Sequence, residues 1–260
     1  MFRKVKQEDI ENILLENQAK YFDEIEELED LALEDDTQYY ASEDCVLIMS
    51  PQRVKTHYIV VPLKPDFDLA QLEAFIHKKS DQFQVHLNVT GIDAGSLRFQ
   101  EPYDVSDAYS SFYIQEEANQ LKEAEEPGVV RKLKTDDKRH VNNFPDEGDI
   151  PGMKLKETFN IFRDDDLGSI LGYFSREGHL LGYISYMPSL LDAYSVDAIF
   201  VQPKYRRRGI GTVLAQSVAK AAQDEGLSCY WPVAQTELVE KTAEAAGFTK
   251  VSSRMMLESL

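Results

Sequence analysis

Val196 to Gly226 reads VDAIFVQPKYRRRGIGTVLAQSVAKAAQDEG, and the organisation of the chain follows from it. Val196, Ile199, Phe200 and Val201 form an apolar, strand-favouring run. Pro203 ends the ladder because it has no N–H to donate. Arg206-Arg207-Arg208-Gly209-Ile210-Gly211 makes a short basic loop. Ile210, Val213, Leu214, Val218 and Ala221 then recur at helical spacing, and Gly226 stands where a helix-ending glycine is expected. The order is strand, glycine-bearing turn, amphipathic helix.

A helix N-terminus carries unpaired N–H groups and partial positive charge. Glycines let a phosphate approach the backbone, and arginines add long-range attraction. A pyrophosphate is the natural guest of such a turn. A basic, solvent-exposed turn before an ordinary core helix has the same residues. The dinucleotide fingerprint is excluded because a third glycine is missing, and the P-loop because no Gly-Lys-Ser/Thr follows.

Val-x-Pro-x-Tyr-Arg-x-x-Gly-x-Gly, from Val201 to Gly211, resembles the acyl-CoA-binding motif of the GNAT superfamily of N-acetyltransferases. The flanking pattern extends the resemblance over the last half of the chain. The resemblance implies acetyl-CoA as cosubstrate and an amine as acceptor. It implies a strand that splays from its neighbour and offers the N–H of Phe200 or Val201 to the thioester carbonyl, with Ile199 beside them. The pyrophosphate is expected on the amides of Arg206, Arg207, Arg208, Gly209, Ile210, Gly211 and Thr212. Thr236 stands near where the family often places an asparagine for the pantetheine arm.

Amine acetylation needs a base, because alkylammonium groups titrate near pKa ~10. Asp197 is the candidate. It lies four residues before Val201, and a period of two puts Asp197, Ile199 and Val201 on one face. A strand-end Asp that caps a turn or pairs with an arginine is the competing reading. Many GNAT sequences carry a tyrosine acid four residues before the terminal Gly-Phe, where this chain has Ala243. Tyr230 is the substitute placed among the catalytic candidates, with Tyr183, Tyr186 and Tyr194 as further tyrosines nearby in sequence.

The chain has 260 residues, 43% hydrophobic and 10% aromatic, so it can hold two medium domains or one large one. Two cysteines, Cys45 and Cys229, sit far apart in apolar runs and read as buried reduced thiols. Metal-ligand spacing is absent, so no metal is expected. The N-terminus has no uninterrupted apolar core of a secretory signal, and no segment has the apolar length to span a membrane. Cytoplasm is the default compartment. Net charge is −18 and unevenly placed: residues 1–128 hold 11 Lys and Arg against 28 Asp and Glu, residues 129–260 hold 17 against 18. An acidic module repels nucleic acid and anionic membrane and attracts cationic partners. A cationic amine acceptor fits this charge, and self-association into a homodimer is left open.

In chain order, helices are expected at 8–18 and 21–36, a hairpin over Cys45–Met49 and His57–Val61, a helix at 68–79, and a strand at 83–89. Residues 90–107 read as loop, Ser111–Ile114 as strand, and Glu116–Glu126 as helix-prone before Pro127-Gly128. Val129–Leu133 reads as a strand and Thr135 as the cap of a helix. After a helix over Lys154–Phe162 come strands at 170–174 and 180–186, the Val196 stretch, a strand at Ser228–Trp231, a helix from Thr236 to Ala246, and β-like residues Phe248–Leu257. The predicted architecture is α/β. A separate N-terminal α/β domain of unassigned function occupies 1–128. A three-layer α/β/α, GNAT-like domain with a mixed, mostly antiparallel sheet occupies 129–260. The expected activity is acetyl-CoA-dependent N-acetylation of a small-molecule or protein amine. The alternative is a non-catalytic acyl-CoA sensor or interaction protein with an acidic docking domain. Nucleic-acid binding through Arg206–Arg208 has a poor electrostatic footprint in so acidic a chain.

Overall fold

The computed structural model describes residues 1–32, 34, 36–100, 102–114, 123–145, 154–165, 168–189, 191–234 and 237–260. Its elements in order are β1 (Arg3–Val5), α1 (Gln7–Leu15), α2 (Phe22–Ala32), β2 (Gln38–Ala41), β3 (Cys45–Pro51), β4 (Thr56–Pro62), α3 (Leu69–Lys79), β5 (Phe83–Asn88) and β6 (Tyr103–Ile114). There follow β7 (Gly128–Lys132), α4 (Lys138–Asn142), α5 (Leu155–Asp165), β8 (Ser169–Ser175), β9 (Leu180–Pro188), β10 (Ala193–Val201), α6 (Ile210–Asp224), β11 (Ser228–Ala234), α7 (Glu237–Ala245) and β12 (Thr249–Ser259). The expected α/β class and mixed, mostly antiparallel sheet are what the structure shows.

The chain forms two compact units, Met1–Ser110 with Val251–Leu260, and Ser111–Lys250. The Pro127-Gly128 break placed a boundary at 128/129; the units instead follow backbone packing, which puts 111–128 with the second unit and 251–260 with the first.

In the second unit β7, β8, β9 and β10 pair antiparallel in sequence order, and β10 pairs parallel with β11. β8 and β9 are buried on both faces. In β8, Leu171 and Tyr173 join the core under α6, with Leu214, Val218 and Ala222. Ile170 and Phe174 join the opposite core, with Leu155, Phe159 and Phe162 of α5. This period-two partition is the reason the strands read as near-continuous apolar runs. α6 ends as expected at Gly226, which takes φ 77°.

The first unit repeats this plan. β1 to β4 pair antiparallel in order, two helices separate β1 from β2, and α3 links β4 to a parallel β5. β12 then pairs antiparallel with β5. Cys45, Leu47 and Met49 of β3 pack in one core with Leu72 and Ile76 of α3. No sequence repeat announces this duplication, because it lies in element order.

Several local expectations change. β6 already begins at Tyr103, inside the stretch read as loop, and β1 and β2 have three and four residues, too short for a periodic signal. α2 stops at Ala32, and the Thr37 hydroxyl donates to the Leu31 carbonyl at 2.7 Å. Thr135 opens a 3-10 turn and is not the cap. The Asp137 carboxylate does that work: it accepts the Lys134 N–H at 2.9 Å and two Arg131 bonds at 2.7 Å. Of the helix-prone Glu116–Glu126, residues 116–122 lie outside the described residues and 123–126 are not helical.

One polar group in the first unit sets a pH dependence. Glu24 of α2 is 1% exposed. Asn88 Nδ2 donates to its Oε1 at 2.9 Å, while Oε2 has no partner among the described residues. Burial, then the neighbouring Asp23 charge, pushes its pKa from 4.5 up to about 8, against the pull of Arg254 and Asn88. The folded pKa exceeds the unfolded one, so the contribution to stability is complete below pH 4.5 and is lost as pH rises through about 8. The melting temperature of the wild type should therefore fall across that window, and Glu24→Gln should flatten the fall. Parallel melting-temperature curves for the two proteins would contradict it.

Candidate active site

β10 carries the first irregularity. Its register with β9 runs evenly from Ala198↔Ser185 to Val201↔Gly182, then slips between Val196 and Ala198. Asp197 is the residue at the slip, a β-bulge that re-aims one side chain. Period-two alternation joins Ile199 and Val201 but does not extend through the bulge to Asp197. The Ser185 hydroxyl donates to Asp197 Oδ2 at 2.9 Å and accepts the Ala198 N–H at 3.1 Å. Burial raises the Asp197 pKa, and the Ser185 bond partly opposes it.

The second irregularity is between β10 and β11. Parallel pairing covers Ala193–Ser195 against Ser228–Tyr230 and goes no further among the described residues. From Val196 to Val201 the β11-facing edge of β10 is therefore free of ladder bonds.

That edge opens into a cavity of about 270 Å³. Of the residues singled out in sequence, Ile199, Phe200, Val201, Arg206, Arg207, Gly209, Ile210, Gly211 and Thr212 all line it. Arg208 does not. It pairs with Glu126 at 2.8 Å, and its carbonyl accepts the Glu125 N–H at 2.9 Å. Thr236 lies outside the described residues. Tyr230 is fully buried in β11 and is not in the lining. Ala243, where the family often has tyrosine, is fully buried against the α6 core. Tyr194 donates to Glu225, and Tyr183 stacks on Phe200.

The turn into α6 is held from both sides. Pro203–Tyr205 forms a 3-10 turn, and Arg206 Nε donates back to the Val201 carbonyl at 2.9 Å. Arg207 takes φ 61° and Gly209 φ 80°, both left-handed. Gly209 tolerates this because it has no Cβ; other residues lose about 1–2 kcal/mol there. A Cβ on Gly211 would lie 3.2 Å from Thr242 Cγ2 and 3.8 Å from Ile199 Cδ1, inside the space of the cavity. The first N–H groups of the 15-residue α6 face no helical acceptor and open on the same space. Arg207 has no hydrogen bond or ion pair among the described residues, so its charge is available to an anion. The residues and the cavity fit a pyrophosphate with an acyl-bearing arm along β10.

Sequence reasoning missed the far wall. Leu238, Val239 and Thr242 of α7 line the cavity, as does Tyr205. Their spacing on one helix face was the available signal. Among the described residues no group of three His, Cys, Asp or Glu is placed to hold a metal, and no helix is long and apolar enough to cross a membrane.

Residues 130–248 match the model of the Acetyltransferase (GNAT) family. Among solved structures, the chain is similar to a GCN5-related N-acetyltransferase from Sphaerobacter thermophilus, at 15% identity over 99% of this chain and 94% of that one, TM-score 0.65. It is also similar to a GNAT-family acetyltransferase from Colwellia psychrerythraea, at 14% identity, 99% of each chain and TM-score 0.54. A GCN5-related N-acetyltransferase from Kribbella flavida gives 11% identity, 92% and 95% coverage and TM-score 0.54. A comparison with curated proteins gives no match. Identities this low show a shared fold alone; the family follows from the 130–248 match and the cavity that its motif builds. Residues 130–248 of this chain are a domain of the GNAT acetyltransferase family.

Proposed function

We propose that the chain is an acetyl-CoA-dependent N-acetyltransferase acting on a primary amine of a small molecule or protein. One observation carries the reading: the open edge of β10, the glycine turn and the start of α6 converge on a single cavity. Acetyl-CoA, when bound, supplies the thioester carbonyl that an amine attacks. Val201 or Phe200 offers a backbone N–H to the carbonyl oxygen, a donor worth on the order of 3 kcal/mol in acyl transfer. The amides from Arg206 to Thr212 and the Arg207 charge hold the pyrophosphate. Asp197 takes the proton of the incoming ammonium, directly or through a water, and Ser185 fixes the orientation of its carboxylate. Tyr230, the acid candidate from sequence, is fully buried in β11 and does not line the cavity. The acidic first 128 residues favour a cationic acceptor.

Burial of Ala243 in place of a tyrosine acid favours a second reading, acyl-CoA binding without turnover. A thiolate with a pKa near ~8.5 leaves tolerably without an acid, so the first reading stands ahead.

The first unit has the plan of the second without its cradle. Its β3–β4 register has no slip, and β4 pairs with β5 from Thr56 to Val60. The start of α3 is occupied by Asp68, whose carboxylate accepts the Gln71 N–H at 2.9 Å and repels a second anion. Calorimetric titration should therefore give one CoA per chain. Gly211→Glu should weaken that binding by at least about 100-fold, roughly 3 kcal/mol. Unchanged affinity in the variant would remove the pyrophosphate assignment.

Asp197 must be ionised to accept a proton, so activity should fall as pH drops through its raised pKa, above the usual ~3.9 of Asp. Asp197→Asn should lower kcat by about 10²–10⁴ and abolish that acid limb. An unaltered pH profile would exclude Asp197 as the base.

A further inference from the structure

A second cavity in the same unit, about 620 Å³, shares Tyr205 with the first and otherwise has its own lining. It is bounded by α4, the turn between β8 and β9, and the Pro203–Tyr205 turn. Four basic side chains line it: Arg139 and His140 of α4, His179 of the β-turn, and Lys204. None of the four forms an ion pair among the described residues. Glu177 is the one acid in the lining. In a chain of net charge −18, two cations, Arg139 and Lys204, without an ion pair among the described residues are a local reversal of the field.

The walls are preorganised. Gln202 anchors the Pro203–Tyr205 turn to β9, its Nε2 donating to the Leu180 carbonyl at 2.7 Å and its N–H to Leu181 at 2.9 Å. Lys204 Nζ lies over the Tyr205 ring, 4.7 Å from its centroid. His140 packs edge-on to Phe174 at 5.4 Å. Phe144 and Leu181 add apolar surface. The volume suits a small organic ligand.

We propose that this cavity is a binding subsite for a phosphate monoester. Arg139 and Lys204 supply two permanent positive charges, which match a dianion better than a carboxylate. The guanidinium offers a planar fork and the ammonium a point charge, and both imidazoles add donors. Phe144 and Tyr205 receive the organic body. Tyr205 also lines the donor cavity, so the phosphate has two sources. It is the 3′-phosphate of CoA itself, which rests on the acyl-CoA reading, or it belongs to a separate phosphorylated molecule, which does not.

The test is calorimetric titration of inorganic phosphate, CoA and 3′-dephospho-CoA into the wild type and Arg139→Gln/Lys204→Gln at fixed ionic strength. Both substituted side chains are exposed, and equal melting temperatures would confirm an intact fold. Inorganic phosphate should bind the wild type and lose about tenfold or more in the variant. If CoA is the source, it should exceed dephospho-CoA by a similar factor in the wild type and lose that advantage in the variant. If the ligand is separate, CoA and dephospho-CoA should bind alike in both proteins while the phosphate difference persists. Identical titrations of all three probes into both proteins would overturn the subsite. Wild-type protein that binds phosphate but not CoA would sink the acyl-CoA reading and leave the subsite standing.

Discussion

Parallel pairing of β10 with β11 ends at Ser195 and Tyr230, and the site of this protein depends on that ending. A continuous ladder would consume the donors on the β11-facing edge of β10. Because the strands part, that edge borders a cavity at Ile199 to Val201. The left-handed turn at Gly209 then brings the first amides of α6 to the same space. Backbone lines both parts of that space, so the glycines are constrained more tightly than any one arginine. Arg208 illustrates the point: it belongs to the motif yet serves an ion pair with Glu126.

The first unit is an internal control on this account. It has the same strand order, the same parallel β4–β5 step and the same intervening helix. It has no bulge between its third and fourth strands, a longer parallel ladder, and an aspartate at the start of its helix. Topology alone therefore does not make the cavity of the second unit; local departures from regular pairing accompany it.

The donor cavity was legible in sequence because its parts are contiguous. Strand, turn and helix lie within Val196–Gly226, and each has a local signal in Pro203, Gly209 or the apolar period of α6. What escaped was set by pairing between distant residues. The bulge at Asp197 is a relation between β9 and β10, and the α7 wall needs the packing of α6 on α7. The cap at Asp137 was hidden because its carboxylate answers Arg131 as well as Lys134. The duplicated plan of the first unit was invisible because two of its strands are too short to show a period. The basic cavity draws Arg139, His140, His179 and Lys204 from three separate segments, which no window of sequence unites.

The cavity is thus built largely from one stretch, and the bulge at Asp197 lies on the same strand. The reaction itself is read most directly by thiol release from acetyl-CoA in the presence of a panel of primary amines. The account predicts amine-dependent release with matching acetylation of the amine. Tight binding of CoA with no thiol release for any amine would contradict it.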